Sequence, residues 1–344
     1  MLSKKFIYIF ELKSLNSHYT NSISAVFLIL SSIFLTGCEA PLVMDKVTSQ
    51  LEQPMQRTDF YQAFASNEEI AVLVGTNGVV LTSRDTTTWN RHVLPEKPSL
   101  LAIDTCPDQT FIALSFDNHI WVSSPNGNDW SSVQIDTQEQ LMTIDCAPNG
   151  EWWVAGGYST FLRSNDKGLT WQSSTLEEDA IITNLVFLSA QEAVATAEFG
   201  MLLLTNDGGR SWTISGFMPD EFYPHTAHFT STSQGWVGGL NGFIYYTNDS
   251  GNTWQRQNAD SAAPIYQIEN VNGELFALGD NATVLKLTGN HWKTIQPATA
   301  PVYLRAALSF NNNLLVAGGR GMFMKIDPSV TALPANETEK ENDI

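Results

Sequence analysis

Three carboxylates recur in one setting: Ser164-Asn-Asp166-Lys-Gly168-Leu-Thr170-Trp171, Thr205-Asn-Asp207-Gly-Gly209-Arg-Ser211-Trp212 and Thr247-Asn-Asp249-Ser-Gly251-Asn-Thr253-Trp254. Repeated acids could act as general acids or hold calcium. Their setting argues for another job. A carboxylate here can accept backbone N–H groups two or three residues on and fold the turn upon itself. Gly168, Gly209 and Gly251 tolerate left-handed backbone, and Trp171, Trp212 and Trp254 can fill the gaps between repeats. Weaker copies ending in Trp89, Trp130 and Trp292 lose the Gly, the Asp or more, as a scaffold element would. His225-Thr-Ala-His228 offers two imidazoles, but on a strand residues three apart point to opposite faces, so one ion cannot take both without a bulge. Glu221-Phe-Tyr223 sets a Glu beside a Tyr within a loop. No phosphate loop, paired CxxC or nucleophile elbow occurs. The motifs call for no metal, no cofactor and no catalysis.

The elements that must position these residues follow from a period. Trp89, Trp130, Trp171, Trp212, Trp254 and Trp292 are spaced by 41, 41, 41, 42 and 38 residues, the mark of a repeat architecture. Each unit holds an alternating apolar run, a short hydrophobic strand ending in small residues, a tight turn, a third strand and the Asp box. Asn77-Gly78 and Asn241-Gly242 supply the positive φ of a two-residue hairpin. Four short antiparallel strands per repeat make a propeller blade. The turns near Asn77, Asn118, Tyr158, Phe199, Asn241, Asp280 and Arg320 predict an all-β, seven-bladed propeller over residues 58–326; residues 39–57 are read as a tether plus the outer strand, near 46–57, that closes the ring. Residues 327–344 lack an apolar period and are expected to be disordered.

Residues 1–38 read as an address. Lys4, Lys5 and Lys13 precede the apolar stretch Ile23–Leu35, which ends in Leu35-Thr36-Gly37-Cys38. The stretch is short for a span, and this pattern resembles a bacterial lipoprotein signal whose cleavage leaves Cys38 lipidated. That implies a lipid-anchored chain facing the periplasm, with Glu39 leaning towards the outer membrane. Formal net charge is −18, which argues against nucleic acid and anionic lipid surfaces as partners. Cys106 and Cys146 lie in matching segments one repeat apart; in an oxidising compartment they form either a disulfide or two buried thiols.

Asp boxes also occur in sialidases, whose site needs several arginines converging on a carboxylate. This chain has eight arginines and lacks the Phe/Tyr-Arg-Ile-Pro segment of that family. What remains is surface. The loop 214–224 gathers Phe217, Met218, Phe222 and Tyr223 beside acids and prolines, a contact composition. With Tyr158, Phe199 and Arg320 on the turns it forms the candidate interaction surface, unless Phe217 and Phe222 merely cover a blade edge.

Trp152-Trp-Val-Ala-Gly-Gly with Asp166-Lys-Gly-Leu-Thr-Trp171, and Gly235-Trp-Val-Gly-Gly-Leu-Asn-Gly with the box ending in Trp254, resemble the propeller family of photosystem II stability/assembly factors. The resemblance covers about residues 58–326. It implies a non-catalytic, membrane-tethered protein that scaffolds subunits of a membrane protein complex; the chain is expected to be a monomer. Photosynthetic members carry an arginine-rich patch, and no run of arginines matches it here. A glycan-binding or sialidase-like propeller is the second reading.

Overall fold

The computed structural model describes Ser49 and residues 52–296 and 300–330. Cys38 with the leader, most of the tether and residues 331–344 lie outside the described residues. The chain divides into two units, Met1–Glu52 and Gln53–Ile344, and the second is a β-propeller of four-stranded antiparallel blades.

The first sheet comprises β1 (Tyr61–Ser66), β2 (Ala71–Gly75), β3 (Val79–Ser83) and β4 (Asn90–Val93). The next comprises β5 (Leu100–Thr105), β6 (Phe111–Ser115), β7 (His119–Ser123) and β8 (Trp130–Gln134). Then come β9 (Leu141–Cys146), β10 (Trp152–Gly156), β11 (Thr160–Ser164) and β12 (Gln172–Thr175). A fourth set holds β13 (Ile182–Phe187), β14 (Ala193–Ala197), β15 (Met201–Thr205) and β16 (Thr213–Phe217). An eight-stranded sheet joins β17 (Pro224–Phe229), β18 (Gly235–Gly239), β19 (Ile244–Thr247) and β20 (Gln255–Ala259) to β21 (Ile265–Val271), β22 (Glu274–Gly279), β23 (Val284–Thr288) and β24 (His291–Gln296). Last are β25 (Leu304–Phe310), β26 (Asn313–Gly318) and β27 (Phe323–Ile326), three strands among the described residues.

Burial grades outward, as the sequence dictates. Second strands such as Ala71–Gly75 and Trp152–Gly156 are buried along their whole length, because a neighbouring sheet covers each face. Fourth strands such as Gln172–Thr175 are polar and exposed. The innermost strands β1, β5, β9, β13, β17, β21 and β25 contact one another in turn, and β25 contacts β1.

Two expectations need adjusting. The sheets are not all separate: β20 and β24 pair in parallel at Asn258↔His291 and Ala259↔Trp292. The lapsed Asp box explains the fusion. Trp292 is fully buried and donates to Gln257 Oε1 at 2.7 Å, while Asp260 Oδ2 accepts the Thr294 N–H at 3.0 Å, so β24 is drawn onto β20. The segment expected to supply a closing strand makes turns over residues 52–58. Its anchor is Asp59, buried under a two-pronged Arg91 ion pair (2.7 and 2.9 Å) and the Tyr61 hydroxyl (2.9 Å). First and last sheets then meet through a Phe60↔Gly319 bridge, Trp89 against Phe323 at 5.2 Å, and Lys325 Nζ donating to Thr86 Oγ1.

The Asp boxes show one shared geometry, with a longer reach than expected. Asp166 Oδ1 accepts the Thr170 N–H, four residues on, at 2.9 Å, and Oδ2 accepts the Thr170 hydroxyl at 2.6 Å. Asp207 holds Ser211 and Asp249 holds Thr253 in the same way. The preceding hydroxyl of Ser164, Thr205 or Thr247 accepts the glycine N–H. Only the shortened copy obeys the two-to-three-residue spacing: Asp85 accepts from Thr87 and Thr88. Each box docks on its neighbour. A Cβ on Gly209 (φ +76°) would lie 2.3 Å from the Trp153 ring, and Trp212 stacks on Phe161 at 4.3 Å.

Candidate functional site: the turn face and the axial channel

The turn between second and third strands is a two-residue hairpin with both central residues left-handed, as at Asn77 (φ 57°) and Gly78 (φ 68°). Asn, which tolerates this region, also takes the first central place at Asn241 and Asn281. In the second sheet the register differs: Asn118 carries the positive φ in the glycine slot, and Asp117 precedes it. Elsewhere the first central residue is Tyr158 (φ 51°), Phe199 (φ 61°) or Arg320 (φ 56°). Both aromatics are open to solvent, at 46% and 52% exposure.

Of the expected loop 214–224, residues 214–217 complete β16 and Pro224 opens β17; the connection 218–223 meets this face, with the Met218 N–H donating to Gly200 O at 2.7 Å. The segment's side chains divide. Phe217 is 55% exposed and Tyr223 half-buried, but Met218 and Phe222 are buried. That corrects the expected surface. Phe222 packs edge-on to Tyr245 at 5.0 Å, in a cluster with Met218, Leu202, Phe229 and Val237. A loop that bridges two sheets must bury something between them, and these two side chains fill that place.

The axial channel begins on the same face. Each innermost strand slips register at its second residue, a bulge that turns this side chain out of the sheet. Gln62, Leu101, Met142 and Thr183 occupy this position in the first four sheets and His225, Tyr266 and Arg305 in the remainder; together they line a cavity of about 170 Å³. Rings step around the mouth: Tyr223 to His225 at 5.2 Å, His225 to Tyr266 at 5.2 Å, Tyr266 to Tyr303 at 6.5 Å. Burial, aided by the Arg305 charge, lowers the His225 pKa to about 4, so its imidazole is neutral at pH 7. Burial also lowers His228, which is not among the cavity's lining residues. Among the described residues no three His, Cys, Asp or Glu side chains group as a metal site.

Deeper in, carboxyls tie one innermost strand to the next. Asp104 accepts the Cys146 N–H at 2.7 Å, Asp145 the Phe187 N–H at 3.2 Å, and Glu269 the Ser309 N–H at 3.1 Å. Burial raises Asp104 to about 6 and Glu269 to about 7, and burial together with the Asp104 charge holds Asp145 well above the usual range. At the far mouth Cys106 and Cys146 are joined as a disulfide, Cα–Cα 5.2 Å.

Charge on the turn face is segregated. From the second sheet to β17 the turns and loops carry Asp117, Glu139, Glu177, Glu178, Glu198 and Glu221 among their acids and no lysine or arginine. Across the last and first sheets sit the exposed Arg57, Arg305 and Arg320. None of these three makes an ion pair among the described residues; the arginines that do are Arg84, Arg91 and Arg163. Gly321 lies against Gln56 and Arg57 backbone, which brings Arg57 beside the Arg320 turn. Arg57 and Arg305 were missed in the sequence because they share no run. The second residue of each innermost strand, aligned across repeats, is the signal that would have found Arg305, His225 and Tyr266.

Residues 122–221 match the family model described as Photosynthesis system II assembly factor YCF48. A protein of Synechococcus sp. (strain CC9902), described as photosystem II assembly lipoprotein Ycf48, is 24% identical over 183 residues, 51% of this chain and 52% of its own. The chain therefore spans about half the length of this curated relative. Among solved structures, YCF48 bound to D1 peptide is 17% identical with TM-score 0.65, over 79% of this chain and 92% of that one. YCF48 from Cyanidioschyzon merolae is 15% identical with TM-score 0.66, over 81% and 98%. Virginiamycin B lyase from Staphylococcus aureus is 12% identical with TM-score 0.70, over 79% and 97%. At such identities the structural likeness shows the propeller fold alone.

Proposed function

We propose that this chain is a non-catalytic assembly factor: a seven-bladed propeller, lipid-anchored through Cys38 on the periplasmic side of the envelope, that holds subunits of a membrane protein complex. The observation that carries the reading is the stretch 122–221. It matches the assembly-factor family model, and it also supplies Tyr158, Phe199 and Phe217, exposed aromatics on one face. Seven blades are supported by the closed sequence of innermost-strand contacts, with the eight-stranded sheet counted as two blades fused at their rims. The turn face is the contact surface; Phe217, Tyr158, Phe199, Tyr223 and Arg320 belong to it, and Met218 and Phe222 support it from below. The Asp boxes built on Asp166, Asp207 and Asp249 serve the scaffold.

The test is crosslinking of the tagged, full-length lipoprotein in its native cells, with mass spectrometry of what co-purifies. Subunits of one membrane complex, enriched over an untagged control, are expected. Recovery of photosystem subunits would carry the relative's partner over to this chain; other envelope subunits would mean that the partner has changed. No enriched membrane protein would remove the assembly reading.

A further inference from the structure

The left-handed place in each hairpin is cheapest for Asn or Gly, and this chain uses Asn77, Asn241 and Asn281 there. Tyr158 and Phe199 are therefore doubly unfavourable choices. Each is a bulky side chain at positive φ, and each leaves roughly half its surface in water. Neither belongs to a core cluster among the described residues. Strain kept without a packing return points to a use outside the fold. They are not alone on this face. Phe116, on the turn of the second sheet, is 59% exposed, Leu240, on the turn after β18, 41%, and Phe217 55%. Four consecutive turns thus each present one large apolar side chain, in an arc around the mouth where Leu101 and Met142 enter the channel.

The arc is set in acids. Asp117, Glu139, Glu177, Glu178, Glu198 and Glu221 lie on these turns and the loops between them, which carry no lysine or arginine; the nearby Arg256 of β20 is laid over the Phe243 ring at 3.4 Å. The opposite sector holds Arg57, Arg305 and Arg320, exposed and without an ion pair among the described residues. We propose that the arc Phe116–Tyr158–Phe199–Leu240, with Phe217, docks an amphipathic polypeptide segment of the partner in which basic residues flank apolar ones. Apolar side chains meet the arc, and the basic ones meet the surrounding carboxylates. The arginine sector repels that segment and so fixes where it lies, a use of charge for orientation as much as for affinity. This inference rests on the assembly reading above and says which chemistry of partner that face takes.

Three synthetic helical peptides of equal length test it by fluorescence anisotropy with the purified protein: leucine with lysine, leucine with glutamate, and serine with lysine. The Leu/Lys peptide should bind, and more weakly as salt rises. Leu/Glu and Ser/Lys peptides should each bind at least about ten-fold less well. Tyr158→Asn/Phe199→Asn restores the residue its sister turns use, so its unfolding midpoint should stay level or rise while Leu/Lys binding falls about ten-fold. Glu177→Gln/Glu178→Gln should lower affinity and flatten the salt dependence. Equal binding of Leu/Glu or of Ser/Lys, or unchanged binding by the double Asn variant, overturns the proposal. In cells, a partner crosslink undiminished in Tyr158→Asn/Phe199→Asn would also overturn this surface while the assembly role stands. Absence of any crosslink from the native chain would instead count against the assembly role itself.

Discussion

Phe217 ends β16 and Phe222 lies five residues on, in the loop that follows, and the structure gives them opposite work. Phe222 is 5% exposed, its ring 5.0 Å from Tyr245 and 6.5 Å from Phe243, with its Cζ beneath Gly239. Phe222→Ala empties this place. Neither Gly239 nor the Tyr245 ring can move in to refill it, because both are fixed in strands on either side, so the transfer and cavity losses add to about 3–5 kcal/mol. Against a whole-domain stability of about 5–15 kcal/mol this is a large share. Phe217 is 55% exposed, and Phe217→Ala should stay within about 0.5 kcal/mol. Urea unfolding followed by tryptophan fluorescence separates the two. With m near 3 kcal/mol/M, Phe222→Ala should lower the midpoint by about 1–2 M and Phe217→Ala by under about 0.2 M. Equal midpoints for the two variants would refute the division of this segment into a presented strand end and a buried loop. Partner recovery is then informative for Phe217→Ala alone, since that variant is expected to be as stable as the native protein.

The buried carboxyls make stability fall as pH rises. Asp104 and Glu269 have folded pKa values above their ordinary ones, so their contribution is complete below about pH 4 and is lost on passing about 6 and 7. Glu269→Gln should therefore flatten the decline in melting temperature between about pH 5 and pH 8. A decline as steep as the native one would refute this assignment. The Asp boxes act in the opposite sense. Hydrogen bonds from Ser211 hold Asp207 down at about 2, so its contribution persists at neutral pH and fades in acid; Asp207→Asn should cost stability at pH 7 and little near pH 2. The disulfide spans 40 residues, for which chain entropy gives about 4 kcal/mol. Cys106→Ser/Cys146→Ser should lower the urea midpoint, and reductant should then have no further effect. Gly209→Ala and Gly150→Ala both place a Cβ at positive φ, but only the first meets an obstacle, the Trp153 ring, while Gly150 has nothing within 4 Å. Gly209→Ala should cost about 1–3 kcal/mol more, and equal losses would refute the clash.

Much of the fold was legible because the repeat fixes backbone. Trp spacing gave the unit length, Asn-Gly pairs located hairpins, and small residues ended the second strands where they run close to a neighbour: a Cβ on Gly156 would come within 2.1 Å of Gln140 O. The fused rim of β20 and β24 was not legible, because it depends on a long-range hydrogen bond from Trp292 to Gln257. The reach of the Asp box was misjudged by one residue, since Gly168 widens the turn and carries Thr170 to the fourth place. Met218 and Phe222 read as surface because composition alone does not tell a loop's inward side from its outward one. A bulge at His225 likewise cannot be seen in a strand pattern.

Function was less legible for a reason that belongs to the architecture. In a propeller the apolar columns are spent on packing sheet to sheet, so their residues repeat and carry little about a partner. Information can accumulate only where the backbone is dictated and the side chain is free. Two such columns exist here. One is the bulged residue of each innermost strand, which runs from Gln62 and Leu101 to Tyr266 and Arg305 while the residue before it stays apolar or proline: Tyr61, Leu100, Ile265, Leu304, with Pro224 before His225. The other is the left-handed turn residue, Asn in some repeats and Tyr158, Phe199 or Arg320 in others. Both columns open on the same face. On the proposed reading, a repeat that tolerates any residue at these places, yet holds aromatics there against their intrinsic preference and arginines without an ion pair among the described residues, has its specificity written around the axis. Changing those columns should change the partner and leave the wheel standing.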